Sequence, residues 1–488
     1  MAASLSTTKQ EKIVRAIVFA VLLALPGIFS MRIAAISDSD LGWHLHTAEW
    51  IMQHHALPYS DPFTTISAGK PWQAYSWLYE VILLKLYQCF NLPGIVAYIA
   101  VMTTAITAAI LHLVQRRLGD ITMATLLTMA ATVSLVRLYT PRPWLFTILF
   151  FIVELDILWE ARASGRRREM YFLPVIFALW ANMHIQFVDG LVLLFAVGVE
   201  SLIELFRSEK KSALQFRDVV LVGLLSTACL CLNPYGWQIF QVAWGLASQS
   251  GAANYITEMN AMAFRDYQDF LVLSLAVAAV VVLARKKNSE IFPILALALG
   301  FMISFRSQRD LWFVVILSVI ILADSLQGQK VYPERLPDWA WIPTLVGSGV
   351  LLAVAARVIP LSVESLQKKM DAELPVQAVN FVKAKGYKGP LFNNYDWGGY
   401  LQWQLRMPVA LDGRAALHGD AALENSMKTW AALPGWQDNP YLHNSNLVIA
   451  PRETSLTEML RVRPGFHVVY EDKIAVVFVA DAQSSQKQ

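Results

Sequence analysis

The sequence carries little charge, and this shortage excludes several classes of protein. Charged residues make up 16% of the 488 residues and hydrophobic residues 56%, whereas a soluble domain carries about 25% charge. The mean hydropathy is +0.44 and the net charge is only +3, so there is no polybasic surface of the kind that binds nucleic acid. The composition therefore excludes a soluble multidomain protein, a disordered chain and a nucleic-acid-binding protein.

Cysteine is also scarce, and the three cysteines do not form a recognisable site. Cys89, Cys229 and Cys231 all lie in apolar stretches. Their spacing matches neither a zinc site nor a thioredoxin motif, and Cys229 is too close to Cys231 for the usual loop-closing disulfide. We expect all three to be small apolar packing residues.

Long apolar stretches dominate what is present. A bilayer core about 30 Å thick needs about 20 mostly apolar residues per helix. Eleven stretches of the sequence meet this need, at residues 13–36, 93–115, 120–138, 143–161, 171–188, 189–206, 217–232, 269–285, 290–305, 310–326 and 339–357. No small-x-small cleavage site follows the first stretch and ten more come after it, so we interpret it as a retained helix rather than a signal peptide.

Basic residues mark the connections that stay in the cytoplasm. Lys9, Lys12 and Arg15 place the N-terminus inside. Every second connection after it is basic, at Arg116–Arg117, Arg162 with Arg166–Arg168, Lys210–Lys211, Arg285–Lys287, and Lys330 with Arg335. This pattern predicts a multi-pass membrane protein whose loops 37–92 and 233–268 and whose tail from about 358 are external.

The external loop 37–92 contains two apolar segments of its own. Apolar residues recur at helical spacing and predict an amphipathic helix lying on the membrane; they are Leu41, Leu45, Ala48, Ile51 and Met52. The second segment, 74–90, contains Glu80 and Lys85 and is either a surface helix or a twelfth span. The basic-residue pattern favours the surface helix.

The tail has the pattern of a small α/β domain. Short apolar runs at 389–393, 408–412, 446–450, 466–470 and 474–479 alternate with helical stretches near 419–432 and 455–461. The predicted fold class is therefore an α-helical polytopic membrane protein with a small C-terminal extracytoplasmic α/β domain. We place the transmembrane domain at 1–357 and the α/β domain at 358–488.

Two carboxylates, Asp38 and Asp40, stand where the first apolar stretch ends, with His44 four residues further on. Such acids serve as a general base, or as a base beside a bound divalent metal, facing a lipid-borne substrate. Alternatively Asp40 caps the amphipathic helix, and the spacing alone favours the cap. The histidines of this loop do not have zinc-site spacing.

Four arginines interrupt the positive-inside pattern at predicted external turns. Arg137 and Arg142 flank one turn, and Arg306 and Arg309 flank another. Guanidinium groups suit phosphate oxygens because their donors form a fork, whereas the alternative is snorkelling to lipid headgroups. Two such pairs favour phosphate binding.

Asn182 and His184 lie near the outer end of a predicted span. Polar residues at this depth either face a water-filled cavity in the bundle or form interhelical hydrogen bonds. The sequence leaves both interpretations open.

Several motifs resemble a family of bacterial multispan membrane proteins over nearly the whole chain. They are the run D-S-D-L-G-W-H-L to W-L-Y-E at 38–80, R-P-W-L-F at 142–146, W-A-N-M-H at 180–184, L-N-P-Y-G at 232–236, Y-D-W-G-G-Y at 395–400 and D-G-R at 412–414. That family is in turn similar to the GT-C glycosyltransferases, especially the ArnT-like and Rgt-like members that use polyprenyl-phosphate sugars.

The resemblance implies roles for the first external loop. GT-C enzymes have an acidic motif after the first span, with an aspartate as catalytic base, followed by two juxtamembrane helices. Asp40 stands at the place of that aspartate and His44 at the place of a family tyrosine. Leu41 replaces the paired glutamate, and Asp38 is the second acid instead. Which carboxylate is the base therefore stays open, as does a divalent metal at Asp38 and Asp40, the one cofactor that the motif suggests.

The implied function is glycosyl transfer at the outer face of a bacterial inner membrane. The donor would be a polyprenyl-phosphate-linked sugar and the acceptor a glycan or lipid, with inversion at the anomeric carbon. The four arginines would stabilise the leaving phosphate, and His44, Asn182 and His184 would contact substrate. Two alternatives remain, a lipid or polysaccharide transporter and a lipid-linked glycan polymerase or ligase.

Overall fold

The computed structural model describes residues 9–207, 212–248, 256–286, 290–326 and 338–481. Some of the basic residues used to predict orientation, namely Lys210, Lys211, Lys287, Lys330 and Arg335, lie outside the described residues. The chain divides into two compact units. The helical unit comprises Met1–Ala34, Val96–Ile239 and Glu258–Leu361, and the mixed unit comprises Ala35–Ile95, Phe240–Thr257 and Ser362–Gln488.

The first two thirds of the chain is helical. In chain order the α-helices are α1 (Lys9–Ile33), α2 (Leu41–His54), α3 (Trp77–Phe90), α4 (Leu92–Gln115), α5 (Ile121–Leu135), α6 (Trp144–Ser164), α7 (Leu173–Met183), α8 (Phe187–Leu205), α9 (Phe216–Cys229), α10 (Gln238–Ser248), α11 (Tyr267–Arg285), α12 (Ile291–Arg306), α13 (Trp312–Ser325) and α14 (Asp338–Val358).

The last third mixes helices and strands. Its elements are α15 (Val363–Glu373), α16 (Val376–Lys385), β1 (Leu391–Asn393), α17 (Tyr395–Leu405), α18 (Ala415–His418), α19 (Asp420–Trp430), α20 (Pro440–His443), β2 (Leu447–Pro451), α21 (Ser455–Val462), β3 (Phe466–Glu471) and β4 (Ala475–Ala480).

Each of the eleven predicted apolar stretches contains a helix, and local signals set several of the ends. The Asp120 carboxylate accepts the Met123 N–H at 2.9 Å and so caps α5. Gly165, at φ 72°, ends α6 in the left-handed conformation that glycine adopts without strain. The helical part of the predicted fold class is confirmed.

Five helices in the described ranges are long and apolar enough to cross a membrane, and they lie at Ile13–Ile33, Leu92–Gln115, Ile121–Leu138, Tyr267–Arg285 and Ala340–Val358. The other predicted spans are shorter or more charged. The 14 residues of α13 extend about 21 Å, which is less than the roughly 30 Å of a bilayer core. Hydropathy alone therefore located these helices without showing how many cross the membrane by themselves.

Ion pairs between helices hold acids that the apolar stretches would otherwise leave unpaired. Arg162 in α6 donates from Nε and Nη2 to Glu200 in α8 at 2.6 and 2.8 Å, and from Nη2 to Glu290 at 2.8 Å. Arg116 in α4 pairs with Asp156 in α6. These pairs satisfy the need of a buried charge for a partner of opposite sign.

A four-stranded sheet in the order β1-β2-β4-β3 forms the centre of the mixed unit. β1 is parallel to β2, with Leu391 opposite Leu447, while β4 is antiparallel to both β2 and β3. The central strands β2 and β4 are apolar and almost wholly buried, as expected for strands covered on both faces. The predicted α/β character of the tail is confirmed.

One predicted apolar run, 408–412, does not join this sheet. Val409 instead forms a parallel bridge with Thr64, and the Thr65 N–H donates to the Val409 carbonyl at 2.8 Å. The loop 37–92 therefore supplies the backbone partner of this run, which a local reading of the tail does not reveal. The loop and the tail fold together as one unit, while the predicted boundary at 357–358 stays a prediction.

The amphipathic segment of the loop is α2, and its buried side contacts protein. α2 packs against α3 and α17, and Leu41, Leu45, Ala48 and Ile51 are buried there. The regular spacing that predicted a membrane-facing side thus matches a side that is covered by two helices.

The cysteines behave only partly as expected. All three lie in described parts of the chain and are free, but Cys89 and Cys231 are exposed. The prediction that they pack in an apolar core is wrong for these two, because each lies on the outer side of its segment.

Candidate active site

Asp38 and Asp40 form a tight turn before α2, and they have different surroundings. Asp38 Oδ1 accepts the Asp40 N–H at 2.9 Å, so the Asp38 carboxylate shapes the turn. Asp40 precedes the helix, yet its side chain does not cap α2, although spacing alone favoured this role. Asp40 is 8% exposed.

The Asp40 carboxylate lies against Gly413 of the D-G-R segment. A Cβ built on Gly413 would overlap Asp40 Oδ1, and it would lie 3.1 Å from Trp43 Nε1. Trp43 Nε1 is buried and has no hydrogen-bond partner among the described residues. Two motifs that are far apart in sequence therefore meet at this carboxylate.

Arg414 connects the D-G-R segment to the loop 37–92. Its Nε and Nη2 donate to both oxygens of Asp412 at 2.7–3.0 Å, and Nη2 also donates to Asp61 Oδ1 at 2.8 Å. Its guanidinium stacks over Trp72, 4.3 Å from the ring centroid, and lies 5.3 Å from that of Phe63. All three charged side chains are buried, so the network is strong only while it is complete.

The charged groups of this network stabilise one another in their ionised forms. Burial opposes ionisation of Asp412, but the Arg414 guanidinium and His418 outweigh it and hold the Asp412 pKa well below its ordinary value. Burial likewise disfavours the Arg414 charge, yet Asp412 and Asp61 raise the Arg414 pKa. The segment is therefore a charged anchor throughout the physiological pH range.

Ser67, His418 and Asp412 have the connectivity of a hydrolase triad. His418 Nδ1 lies 3.0 Å from Ser67 Oγ, and Nε2 lies 3.2 Å from Asp412 Oδ1. However, Ser67 is completely buried, and Asp412 is already occupied by Arg414. The arrangement is a structural network rather than a nucleophilic site.

His44 lies one helical turn after Asp40 and pairs with Glu80 of α3. His44 Nδ1 is 3.1 Å from Glu80 Oε1, and both side chains are almost fully buried. Burial raises the pKa of Glu80 well above its ordinary value, and Arg414 opposes only part of the rise. The His44–Glu80 pair therefore joins the start of α2 to α3.

In the helical unit, Arg137 is held by protein groups. Its Nη2 donates to Asp269 Oδ1 at 2.6 Å and to Gln268 Oε1 at 3.3 Å, and its Nη1 donates to Gln308 Oε1 at 3.1 Å. These bonds tie the end of α5 to α11. Three acceptors therefore already occupy the forked donors that the sequence assigned to phosphate.

The other three arginines differ in their contacts. Arg142 stacks over Trp144, 5.2 Å from the ring centroid, with Nη1 3.8 Å from Glu258 Oε1. Arg309 Nε lies 4.0 Å from Asp310 Oδ1. Arg306 is exposed and has no ion-pair partner among the described residues. Arg306 is thus the arginine most available to an added anion.

Asn182 and His184 both make hydrogen bonds between helices. Asn182 Nδ2 donates to the carbonyls of Ala178 and Leu232 at 2.8 and 3.0 Å. His184 Nδ1 lies 2.9 Å from Thr147 Oγ1 in α6. The structural alternative therefore accounts for these contacts, and the substrate role stays a prediction.

Sequence reasoning gave no individual role to several residues near these sites. Asp61 and Arg414 were visible only as members of motifs. In the helical unit, Gln186 donates to Asp310 at 2.6 Å, and Arg309 interacts electrostatically with Asp189 and His184. An acid such as Asp189 inside an apolar run is the signal that would have identified this cluster.

A metal centre formed by the chain alone does not stand out. Within the described ranges, no group of three or more His, Cys, Asp or Glu side chains is arranged to hold a metal ion. A metal at Asp38 and Asp40 would need ligands from substrate or water, as Mg²⁺ accepts, and it stays a prediction.

Comparisons with known proteins point to one fold. No protein-family model and no curated protein matches the sequence. Among solved structures, the chain resembles ArnT from Cupriavidus metallidurans bound to undecaprenyl phosphate, with 13% identity and a TM-score of 0.50 over 96% of this chain and 99% of that one. The apo form of that ArnT has the same identity and coverage and a TM-score of 0.42. The chain therefore has an ArnT-like GT-C fold, and together with its apolar helices this fold supports a multi-pass membrane protein.

Proposed function

We propose that this protein is a membrane glycosyltransferase that moves a sugar from a polyprenyl-phosphate donor to an extracytoplasmic glycan or lipid. The observation that carries the proposal is the likeness to ArnT over 96% of the chain, in a structure of that protein bound to undecaprenyl phosphate. Fold alone does not define chemistry, so the residues of the candidate site carry the rest of the argument.

Asp40 is the proposed general base. Its carboxylate takes the proton of an acceptor hydroxyl while that oxygen attacks the anomeric carbon. The bond from this carbon to the phosphate oxygen breaks, and polyprenyl phosphate leaves with the electron pair. Because there is a single displacement, the anomeric configuration inverts.

The surroundings of the two acids favour Asp40 over Asp38. Asp38 accepts a backbone hydrogen bond from Asp40, and this bond commits the Asp38 carboxylate to the turn. Asp40 neither caps α2 nor is exposed. His44, which pairs with Glu80 and lies one helical turn after Asp40, is the proposed substrate contact beside the base.

Arg306 is the first candidate for the leaving phosphate, because it is exposed and unpaired among the described residues. Arg142 and Arg309 are further candidates, because they flank the same predicted turns as Arg137 and Arg306. We assign Arg137 mainly to holding α5 and α11 together. Forked guanidinium donors stabilise the charge that develops on phosphate as the sugar leaves.

The test is a transfer assay with purified protein in nanodiscs. Polyprenyl-phosphate hexose and polyprenyl-phosphate pentose are each supplied with lipid and glycan extracts of a bacterial envelope, and mass spectrometry follows released polyprenyl phosphate and glycosylated acceptor. Equal amounts of released polyprenyl phosphate and glycosylated acceptor support a transferase. Movement of intact donor across proteoliposomes without cleavage supports the transporter, and chain extension of lipid-linked glycan supports the polymerase or ligase.

We also propose that the N-terminus is cytoplasmic and that the mixed unit faces outward, in a bacterial inner membrane. The test uses single cysteines in a variant that lacks the three native ones. Lys388→Cys should react with an impermeant maleimide in intact cells, whereas Ser164→Cys should react only after lysis. Both positions are exposed in the structure. Labelling of Ser164→Cys in intact cells would show that the orientation is the reverse of the one proposed.

A further inference from the structure

Three glycine-containing motifs of the mixed unit meet around Asp40. They are D-S-D-L-G-W at 38–43, W-G-G-Y at 397–400 and D-G-R at 412–414. None of them forms a recognisable site alone. Their meeting point is a set of close backbone and side-chain contacts that leave no room for a Cβ atom.

The first contact fixes the start of α2 against α17. A Cβ on Gly42 would overlap the Gly399 carbonyl, and a Cβ on Gly399 would lie 2.7 Å from the Ser39 carbonyl oxygen. The two helices therefore cross with their backbones in contact, which only glycine permits. This crossing sets the position of the turn that carries Asp40.

The second contact fixes the Asp40 side chain. Gly413 does not have a positive φ, so a side chain there meets no left-handed backbone strain. The obstacle to a side chain at Gly413 is Asp40 Oδ1 itself. A methyl group there would push the carboxylate aside, while the surrounding backbone stays as it is.

A hydrogen bond and buried ion pairs hold the D-G-R segment in a fixed position. The Tyr395 hydroxyl donates to the Gly413 carbonyl at 3.0 Å. On either side of this glycine, Asp412 and Arg414 pair with each other, and Arg414 also pairs with Asp61. A carboxylate that rests against such a segment has a defined position.

We propose that the Asp412-Gly413-Arg414 segment is a positioning element of the active site, which sets where the Asp40 carboxylate stands. The inference rests on the proposed role of Asp40 as the base. It gives the C-terminal α/β region a part in the reaction, because that region supplies the surface that aims the base at the acceptor hydroxyl. Gly413 contributes because the absence of a side chain at this position leaves space for the Asp40 carboxylate.

The experiment is a double-mutant cycle in the nanodisc transfer assay. The variants are Gly413→Ala, Asp40→Asn and the two combined. The matched control is Gly245→Ala in the same unit, where an added Cβ meets no atom within 4 Å. Donor affinity is measured separately as binding of radiolabelled polyprenyl-phosphate hexose.

Gly413→Ala should lower kcat about 10²-fold, as a misplacement of about 1 Å does, with donor affinity unchanged. The double variant should be no slower than Asp40→Asn alone, because the methyl group acts only by moving a base that is no longer present. Gly245→Ala should match wild type. If Gly413→Ala is not recovered as a monodisperse protein, Tyr395→Phe is put through the same cycle, with a smaller loss expected.

Two results would overturn the inference while leaving the proposed function intact. One is wild-type kcat in Gly413→Ala while Asp40→Asn is slow. The other is a loss in the double variant equal to the product of the two single losses. Wild-type turnover by Asp40→Asn would instead remove the base on which the inference depends.

Discussion

The two units place their buried charges in different ways. In the helical unit, charges pair between helices, as in Arg162 with Glu200 and Arg137 with Asp269. In the mixed unit, Arg414 joins two buried carboxylates, and one of them, Asp61, is 353 residues away. The first arrangement neutralises acids within an apolar bundle, whereas the second ties a loop to a distant segment.

This difference shows where precision is needed. A helix in a bundle tolerates small shifts, because its pairs involve long and flexible side chains. The turn that carries Asp40 is confined by backbone contacts at Gly42 and Gly399 and by a closed charge network. The mixed unit therefore has the rigidity that a catalytic base requires.

Removal of Arg414 gives the largest expected effect on stability. Arg414→Met leaves Asp412 and Asp61 buried without their cation, which costs about 3–5 kcal/mol. The measurement is thermal unfolding in detergent, with Arg461→Met as the control, because Arg461 pairs with exposed acids at the surface. If Arg414→Met unfolds at the same temperature as Arg461→Met, the buried network stabilises the protein no more than a surface ion pair does. That result would contradict the contrast between the two units.

Acidification should weaken the mixed unit through His46. Burial first, and then the Arg406 charge, lower its pKa from 6.5 to about 4. The unfolded chain thus binds a proton at a higher pH than the folded one. The stability that neutral His46 contributes is therefore complete above pH 6.5 and is lost as the pH falls to about 4.

His46→Gln removes this titration and should flatten the stability curve between pH 6.5 and 4 by at most about 3 kcal/mol. Exposed His54 provides the control, as His54→Gln. Chemical denaturation at each pH measures the slope. An unchanged slope in His46→Gln would show that the acid sensitivity lies elsewhere.

The smallest effect should separate an anion-binding arginine from a structural one. Arg306→Lys keeps the charge and loses the fork, so transfer at limiting donor should fall about tenfold, which is 1.4 kcal/mol, with stability unchanged. Arg137→Lys loses forked contacts to Asp269, Gln268 and Gln308 and should instead unfold earlier. Arg309→Ala should also impair transfer. Normal transfer by Arg306→Lys at both limiting and saturating donor would remove its proposed role.

Hydropathy predicted the helices of the helical unit well, because an apolar stretch can be recognised from consecutive residues alone. The same holds for β2 and β4, whose continuous apolar runs stand out in the tail. The paired acids Asp156 and Glu200 were also predictable, since buried charges need partners. Helix length, as in α13, together with charge separated the stretches that are long and apolar enough to span.

The arrangement around Asp40 was not predictable from local pattern. The Val409 run reads as a strand of the sheet, but it pairs with Thr64. Asp61 and Arg414 carry no local signal for each other, and the need for Gly413 arises from a side chain far away in sequence. The resemblance to GT-C enzymes pointed to the correct fold, and the role that it implies for Asp40 stays a prediction, while the neighbours of Asp40 required the structure.

The most direct test of the account is the turnover of Asp40→Asn, compared with Asp38→Asn and with donor binding. Asparagine keeps the size of the side chain and loses its basicity, so kcat should fall about 10²–10⁴-fold while polyprenyl-phosphate hexose still binds. Asp38→Asn should be milder, because an amide oxygen can still accept the Asp40 N–H that Asp38 now accepts. Wild-type turnover by Asp40→Asn would contradict the catalytic account and favour the transporter.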